Sequence, residues 1–437
     1  MFKKSLILAA VAGLVLAALL GFRYGSNRGA AKQQPLKLAA ESPAQPKTPG
    51  DRPIAAAQNL IDREPKAARG YQMLASAYMQ KARETGDFSL NAKAEEALAR
   101  AEQAEPGGYD TLKLRSKLLL TYHRFAEALE AARRAQAVNP RDHDNYGAMT
   151  DALVELGDYD GAVAAAQTMV DLRPDTASYS RVSYLRELHG DAKGAADAMR
   201  MAVEAASPKD PEGVAWCRVH LGQALARDGK RAEAEREYDH ALYVFPDYHV
   251  ALAAKAHARL AAGDTDAAAQ LYQRAVERVP LPDYAAALGD LYTKLGRAEE
   301  AKRQYELVEF VERAGAQAGT YTRQLAMFWA DHDTRLDEAL AVARGERATR
   351  RDIYTSDLLA WCLYKKGQYA DAKAAMAEAL RLGTRDPKLL YHAGLIAAAS
   401  GDRAGGAKYL RQALAIDPSF DVLQADAARR ALAGRDA

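Results

Sequence analysis

The chain has 437 residues, of which 49% are hydrophobic, and it carries 60 basic and 58 acidic side chains. This length exceeds one compact domain, so it predicts either two or three globular domains or one extended array. Seven basic residues but one acidic residue fall in residues 1–50, which leaves 53 basic and 57 acidic residues in the rest. A general nucleic-acid-binding protein carries a clear basic excess, so this mildly acidic body argues against DNA or RNA as a partner.

The chain begins with a segment typical of membrane targeting. Lys3 and Lys4 precede an uncharged, mostly aliphatic run from Ser5 to Phe22. The run is longer than the core of a usual signal peptide and close to the ~20 residues of a membrane-spanning helix. No small-x-small cleavage site directly follows it. Residues 1–22 therefore favour a retained signal anchor over a cleaved signal peptide, and both alternatives stay open.

The sidedness of this segment and the stretch behind it follow from charge and composition. Basic residues flank both ends of the segment, so the positive-inside comparison does not fix its orientation. Because the leading tail is short, export of the downstream chain is the commoner outcome. This favours the periplasmic or extracytoplasmic side of a bacterial envelope, or secretion if the segment is cleaved. Residues 23–50 contain four prolines without apolar periodicity and predict a flexible linker.

One interval recurs throughout the remaining sequence. The distances from Pro106 to Pro140, from Pro140 to Pro174 and from Gly367 to Gly401 are all equal. Repetition at a fixed length predicts a stack of identical supersecondary units. Apolar residues at three- and four-residue spacing predict that each unit is a pair of helices of roughly 12 to 15 residues.

One glycine in most units falls between the two predicted helices and marks the tip of a hairpin. Glycine fits there because a helix commonly ends on a residue with positive φ, which costs glycine no steric penalty. Small residues follow where the second helix must cross the first closely, because a larger side chain would overpack the crossing. The tip glycines are Gly157, Gly190, Gly229, Gly263, Gly296, Gly367 and Gly401. The small crossing residues are Ala128, Ala162, Ala195, Ala234, Ala268, Ala301, Ala372 and Gly406.

This pattern resembles the tetratricopeptide repeat family, whose unit of about 34 residues reads W-x2-L-G-x2-Y, then A-x3-F, then P. The best matches are Leu221, Gly222, Leu225, Ala234, Tyr238, Ala241 and Pro246, and then Leu288, Gly289, Tyr292, Ala301 and Tyr305. The resemblance implies an all-α, right-handed superhelical solenoid of about ten helix-turn-helix units. We expect the solenoid to span residues 51–420 and a polar capping helix or tail to follow at 421–437.

The resemblance also implies where a partner would bind. In this family the first helix of each pair lines a concave groove, and positions two, five, nine and twelve of the unit face it. Aromatic residues at such positions are candidates for groove contacts, with packing between adjacent first helices as the open alternative. The candidates are Tyr184, Trp216, Tyr354, Trp361, Tyr364 and Tyr391. Basic residues that could contact an anion are Lys113, Lys117, Arg227 and Lys365.

Reactive constellations are absent from the sequence. The nine histidines are scattered, Cys217 and Cys362 both follow a tryptophan within predicted helices, and no metal-ligand spacing occurs. We therefore predict no catalytic residue, no metal, no cofactor and no small-molecule substrate. The sequence predicts a membrane-tethered, non-catalytic scaffold that binds an extended peptide or a partner helix. The alternatives are a self-associating structural or assembly factor of an envelope complex and, last, an accessory subunit of an enzyme.

Overall fold

A computed structural model describes residues 51–317 and 322–434 of the chain, all within one unit, residues 48–437. These residues form 22 α-helices and no strand, which confirms the all-α solenoid. The predicted anchor (1–22) and linker (23–50) lie outside the described residues. Within the described part, no helix combines the length and the apolar character needed to cross a bilayer.

The described helices form ten antiparallel hairpins between two single helices, α1 (Asp51–Arg63) and α22 (Gln424–Leu432). The number agrees with the predicted ten units. The first five hairpins are α2 (Ala68–Thr85) with α3 (Leu90–Ala104), α4 (Tyr109–Thr121) with α5 (Phe125–Val138), α6 (His143–Leu156) with α7 (Tyr159–Leu172), α8 (Thr176–Leu188) with α9 (Ala192–Ala205), and α10 (Pro211–Arg227) with α11 (Arg231–Val244). The last five are α12 (His249–Ala261) with α13 (Thr265–Arg278), α14 (Pro282–Lys294) with α15 (Ala298–Gln317), α16 (Thr322–Asp331) with α17 (Leu336–Thr349), α18 (Ile353–Lys365) with α19 (Tyr369–Ala379), and α20 (Pro387–Ala399) with α21 (Arg403–Ile416).

The hairpin between α6 and α7 shows how the local sequence makes each turn. Gly157 ends α6 at φ 78°, and its N–H group bonds to the Leu153 and Val154 carbonyls. Asp158 then caps α7 by accepting from the Gly161 N–H group. The crossing that follows is tight, since Ala162 is 0% exposed. The predicted tip glycine and small crossing residue therefore have the structural roles that the repeat pattern assigned to them.

Each hairpin packs on the next mainly through its second helix and the first helix that follows, and on one side of the stack first helices also contact each other. The first helices α10 and α12 contact each other, and so do α16 with α18 and α18 with α20. No comparable contact joins two second helices anywhere in the described ranges. The first helices therefore lie on the tighter side of the curve, which we call the inner face.

The stack returns onto itself, which the repeat pattern did not predict. The loop before α18 lies on the tip between α6 and α7: the Ile353 N–H group donates to the Tyr159 hydroxyl at 2.9 Å, and the Arg351 N–H group donates to the Glu155 carbonyl at 3.1 Å. The Thr384 hydroxyl likewise donates to the Leu188 carbonyl. These side-chain partners are 194 and 196 residues apart. We call this line of contacts the seam.

The two cysteines and the irregular units also have clear positions. Cys217 and Cys362 are free thiols that are 0% exposed, as predicted for small apolar residues on buried helix faces. The expected insertion near residues 84–89 lengthens α2 to 18 residues and widens the turn behind it. The least regular unit follows α15, which at 20 residues is the longest described helix.

Candidate functional site

Tyr184, one of the predicted groove residues, faces a cavity on the inner face. Its side chain on α8 is 40% exposed, and it lines a space of about 390 Å³ together with Arg181, Arg323 and Arg350. We call this space the inner cavity. It is closed on one side by the first helices α4, α6 and α8 and on the other by α16 and the loop before α18. Burial, followed by the nearby Glu155 carboxylate, raises the pKa of Tyr184.

The charged groups of the inner cavity are already paired with one another. Arg181 donates from Nε and Nη2 to the Asp151 carboxylate at 2.9 and 2.6 Å. Arg350 is 4% exposed, pairs with Glu155 and lies 4.7 Å from the centre of the Phe125 ring. Burial raises the pKa of Glu155 although Arg350 opposes the shift. These pairs hold the walls in place, and the cavity lining includes no nucleophile beside a free base.

His123 lines the same cavity and carries a titratable imidazole ring. Burial, and then the charges of Arg350 and Arg323, lower its pKa to about 4. The ring is therefore neutral at physiological pH, and its pKa lies well below the range in which a histidine serves as general base. The cavity thus presents an exposed aromatic ring among paired charges.

Trp216 and Tyr354 lie on the inner face beyond the cavity. The Trp216 ring is 4.0 Å from that of His220 and packs partly buried against the core formed by α9, α10, α11 and the start of α12. Tyr354 packs partly buried against a core that includes Leu185 and Leu188 of α8, and burial raises its pKa. The fold thus brings the hairpins of Tyr184 and Tyr354 together, although they are far apart in the sequence.

The other three predicted residues pack between adjacent first helices. Trp361 is 1% exposed, its ring stacks on Tyr364 at 5.0 Å, and its indole N–H group donates to Asp331 at 2.9 Å. Tyr391 is 4% exposed, with its ring 5.5 Å from that of Phe420. The packing role that the sequence left open is therefore present for these rings. A contact of any of the six aromatic residues with a partner stays a prediction.

The basic residues proposed for anion contacts all have carboxylate partners. Lys117 lies 2.9 Å from Asp144, and Arg227 lies 2.9 Å from Glu187. The other two pairs are Lys113 with Asp142 at 3.1 Å and Lys365 with Asp333 at 2.8 Å. The sequence could not show this, because each partner is an ordinary acidic position and pairing depends on how the side chains align in the folded stack.

One group among the described residues has the composition of a metal site, namely Asp142, His143 and Asp144. Each member is held by a protein group. Asp142 accepts from the Tyr109 hydroxyl at 2.6 Å, and His143 lies 3.0 Å from Asp175. Their ligand atoms therefore have protein partners, and the group stabilises the contact between α4, α6 and α8.

The sequence analysis did not predict a second part of the inner face, where a segment that follows the last hairpin is bound. After α21 the segment Asp417–Leu432, which we call the C-terminal segment, lies against first helices of earlier hairpins. Asp417 pairs with His257 at 2.7 Å and Asp426 with Lys294 at 2.6 Å. Polar composition had suggested a solvated helix or tail at 421–437, and the apolar residues Phe420, Val422 and Leu423 are the signal in the sequence that could have indicated burial.

These features define the class of the protein as an all-α repeat solenoid with an inner face built from the first helix of each hairpin. The tetratricopeptide repeat family model matches residues 148–211, 219–281, 253–308 and 358–419. The chain therefore contains tetratricopeptide repeats, as the sequence pattern indicated. No curated protein sequence matches the chain.

Several solved structures are similar to part or most of the chain. The Cut9–Hcn1 hetero-tetramer of the APC/C matches with a TM-score of 0.37 and 14% identity over 87% of this chain and 92% of that chain. The type IV pilus biogenesis factor PilW matches with a TM-score of 0.39 and 16% identity over 50% and 97%. A tetratricopeptide repeat protein of Thermus thermophilus matches with a TM-score of 0.35 and 17% identity over 48% and 99%. At these identities the similarity concerns the fold alone.

Proposed function

We propose that the protein is a membrane-tethered, non-catalytic scaffold that binds an extended peptide or a helix of a partner protein on its inner face. Repeat solenoids present extended curved surfaces suited to such binding. The observation that carries the proposal is that the inner face already holds a polypeptide segment, since His257 and Lys294 bind the carboxylates of Asp417 and Asp426. The exposed Tyr184 ring in the inner cavity provides a second recognition element.

The proposed membrane anchor, and the side of the membrane on which the repeats lie, are both inferred from the sequence of residues 1–50. The apolar run from Ser5 to Phe22 is the proposed anchor, and the proline-containing linker separates it from the repeats. We place the repeats on the periplasmic or extracytoplasmic side. Alkaline phosphatase fused after Ala437 tests this, because the enzyme is active only when exported. An inactive fusion that is made at full length would contradict the assignment.

Site-specific photocrosslinking in cells tests the binding surface. A photoreactive phenylalanine replaces Tyr184 on the inner face or, as the matched control, Tyr243, which is 86% exposed on the second helix α11. We expect a crosslinked partner protein from position 184 and none of the same mass from position 243. Identical products at both positions, or none from position 184, would show that the inner cavity is not the binding surface.

A further inference from the structure

The C-terminal segment is bound through three carboxylates and two apolar side chains. Asp417 pairs with His257, Asp426 pairs with Lys294, and the Asp421 carboxylate lies 3.6 Å from the Lys388 ammonium group. Between these charges Val422 is 5% exposed in the core formed by α12 to α15, and Phe420 packs on Tyr391. No residue from Asp417 to Ala428 is exposed. The segment therefore fits a surface on which hydrogen-bonding or basic side chains alternate with apolar contacts.

The surface that receives the segment is assembled from separate hairpins. His257 lies on α12, Lys294 ends α14 and Lys388 begins α20. Although burial opposes the shift, the bond from His257 lowers the pKa of Asp417, and Lys294 does the same for Asp426. The carboxylates are thus held ionised. The path on the inner face thus offers the imidazole of His257 and the ammonium groups of Lys294 and Lys388, the last also 2.7 Å from Asp331, and these groups are complementary to the carboxylates of an acidic chain.

The polar contacts that hold the segment are individually weak. The His257 and Lys294 side chains remain 38% and 39% exposed, and ion pairs at such exposure contribute about 0 to 1 kcal/mol each. The helix that follows, α22, has 9 residues, and a helix of this length does not persist alone in water. Val422, Ala425 and Ala428 of the segment are buried, so a competitor must replace apolar contacts as well as the exposed polar pairs.

We propose that this surface is the binding site for an acidic segment of a partner protein and that the C-terminal segment occupies it until the partner displaces it. The inference rests on the proposed function, which it deepens by naming the chemistry of the partner. The expected pattern is that of the present occupant, with carboxylates spaced as Asp417, Asp421 and Asp426 and bulky apolar residues at the positions of Phe420 and Val422. The occupant lowers the apparent affinity for the partner by the fraction of chains in which the site is open.

A peptide-exchange experiment on the full chain in detergent tests the proposal. The probe is a fluorescent synthetic peptide with the sequence of residues 417–432. The release variant Asp417→Asn with Asp426→Asn keeps side-chain volume and one acceptor oxygen at each position but removes two charges. The matched control is Asp266→Asn, an exposed position on α13. We expect the release variant to bind the peptide at least about tenfold more tightly than the wild type or the control, because its site is more often open. Lys294→Gln added to the release variant should reverse the gain.

Equal affinity of the wild type and the release variant, or a gain that Lys294→Gln leaves unchanged, would overturn the proposal. Dimers of the release variant in light scattering would overturn it too, since the occupant would then be a second copy of this chain. Hydrogen exchange of the unmodified chain avoids any folding defect of the variants. Excess unlabelled peptide should speed exchange at the Leu423 and Gln424 amides, which Asp421 caps in the bound segment, and unchanged exchange would count against displacement.

The two proposals fail in distinguishable ways. A partner crosslinked at Tyr184 without peptide binding by the release variant supports the proposed function and refutes the acidic-segment site. Peptide binding by the release variant without any partner at Tyr184 refutes the inner cavity as binding surface and supports the site at Lys294.

Discussion

Substitution of one tip glycine should weaken the seam, while the same change at another tip should not. Gly157 and Gly367 both have positive φ, 78° and 72°, so alanine at either costs about 1 to 2 kcal/mol of backbone strain. An added Cβ at Gly157 would overlap the carbonyl oxygen of Arg351 across the seam, whereas at Gly367 it would meet nothing within 4 Å. The difference between the two variants therefore isolates the seam.

The extra cost at Gly157 follows from the contacts beside it. The Arg351 and Ile353 N–H groups bond to the Glu155 carbonyl and the Tyr159 hydroxyl, and an intramolecular hydrogen bond contributes about 1 kcal/mol. If the loop moves away, both bonds are lost, so Gly157→Ala should cost about 2 kcal/mol more than Gly367→Ala. A difference of this size corresponds to roughly a 30-fold change in an opening equilibrium.

Hydrogen exchange at individual amides is the suitable assay, because a repeat array need not unfold as one cooperative unit. The Arg351 and Ile353 amides should exchange about 30-fold faster in Gly157→Ala than in Gly367→Ala. Equal exchange in the two variants, with equal losses of thermal stability, would show that the seam contributes nothing to the fold and would refute the reasoning.

Three further predictions follow from single buried positions. Gly222→Ala should destabilise the chain by about 1 to 3 kcal/mol, since its Cβ would lie 2.9 Å from the Ala234 carbonyl oxygen. Gly345→Ala, on the exposed face of α17, should instead stabilise it by up to about 1 kcal/mol. Urea unfolding measures both changes. Burial raises the pKa of Glu312 to about 8, so the folded state keeps this proton at pH values where the unfolded state has released it. The free energy of unfolding should therefore fall as pH rises from about 4.5 to about 8. Glu312→Gln should remove roughly 3 to 5 kcal/mol of that fall. Trp361→Phe should cost about 2 to 3 kcal/mol through lost packing and the lost bond to its carboxylate partner, which equilibrium unfolding also detects.

Each of these has an outcome that would contradict it. A stabilising Gly222→Ala would mean that the crossing is not close-packed. Parallel pH profiles of the wild type and Glu312→Gln would mean that this carboxyl group titrates in the ordinary range. A Trp361→Phe variant as stable as the wild type would mean that the ring is not a packing element, and the residue could then be used as a probe of partner binding.

Local features of the repeats could be predicted from the sequence because short-range physics determines them. Gly157 ends a helix with positive φ wherever its hairpin lies, and Ala162 is small because its own partner helix crosses there. The seam could not be predicted in this way. The bond from Ile353 to Tyr159 depends on the small rotation between hairpins, which accumulates over 194 residues and leaves no mark at either position.

The candidate site likewise has features that could be predicted from the sequence and features that could not. The register of the repeat places Tyr184 and Trp361 on one side of their helices, but it does not say what covers them. Tyr184 faces the inner cavity, whereas the core around Trp361 is buried by neighbouring first helices and by Phe420 of the C-terminal segment. That segment has the composition of a solvated tail, and its binding to His257 requires a surface that exists only in the folded stack.

The seam and the C-terminal segment both limit access to the inner face, but their polar contacts differ in strength. This difference indicates which of the two a partner displaces. The seam includes a buried hydrogen bond and the Arg350 guanidinium, 4% exposed and paired with Glu155, and breaking such a buried pair costs about 3 to 5 kcal/mol. The C-terminal segment is held by pairs with His257 and Lys294, whose side chains are more than a third exposed, and by the burial of Val422, Ala425 and Ala428. Its polar contacts therefore cost less free energy to break than the buried ion pair of the seam. A partner gains access to the inner face by replacing the segment, while the seam keeps the cavity around Tyr184 at a fixed shape.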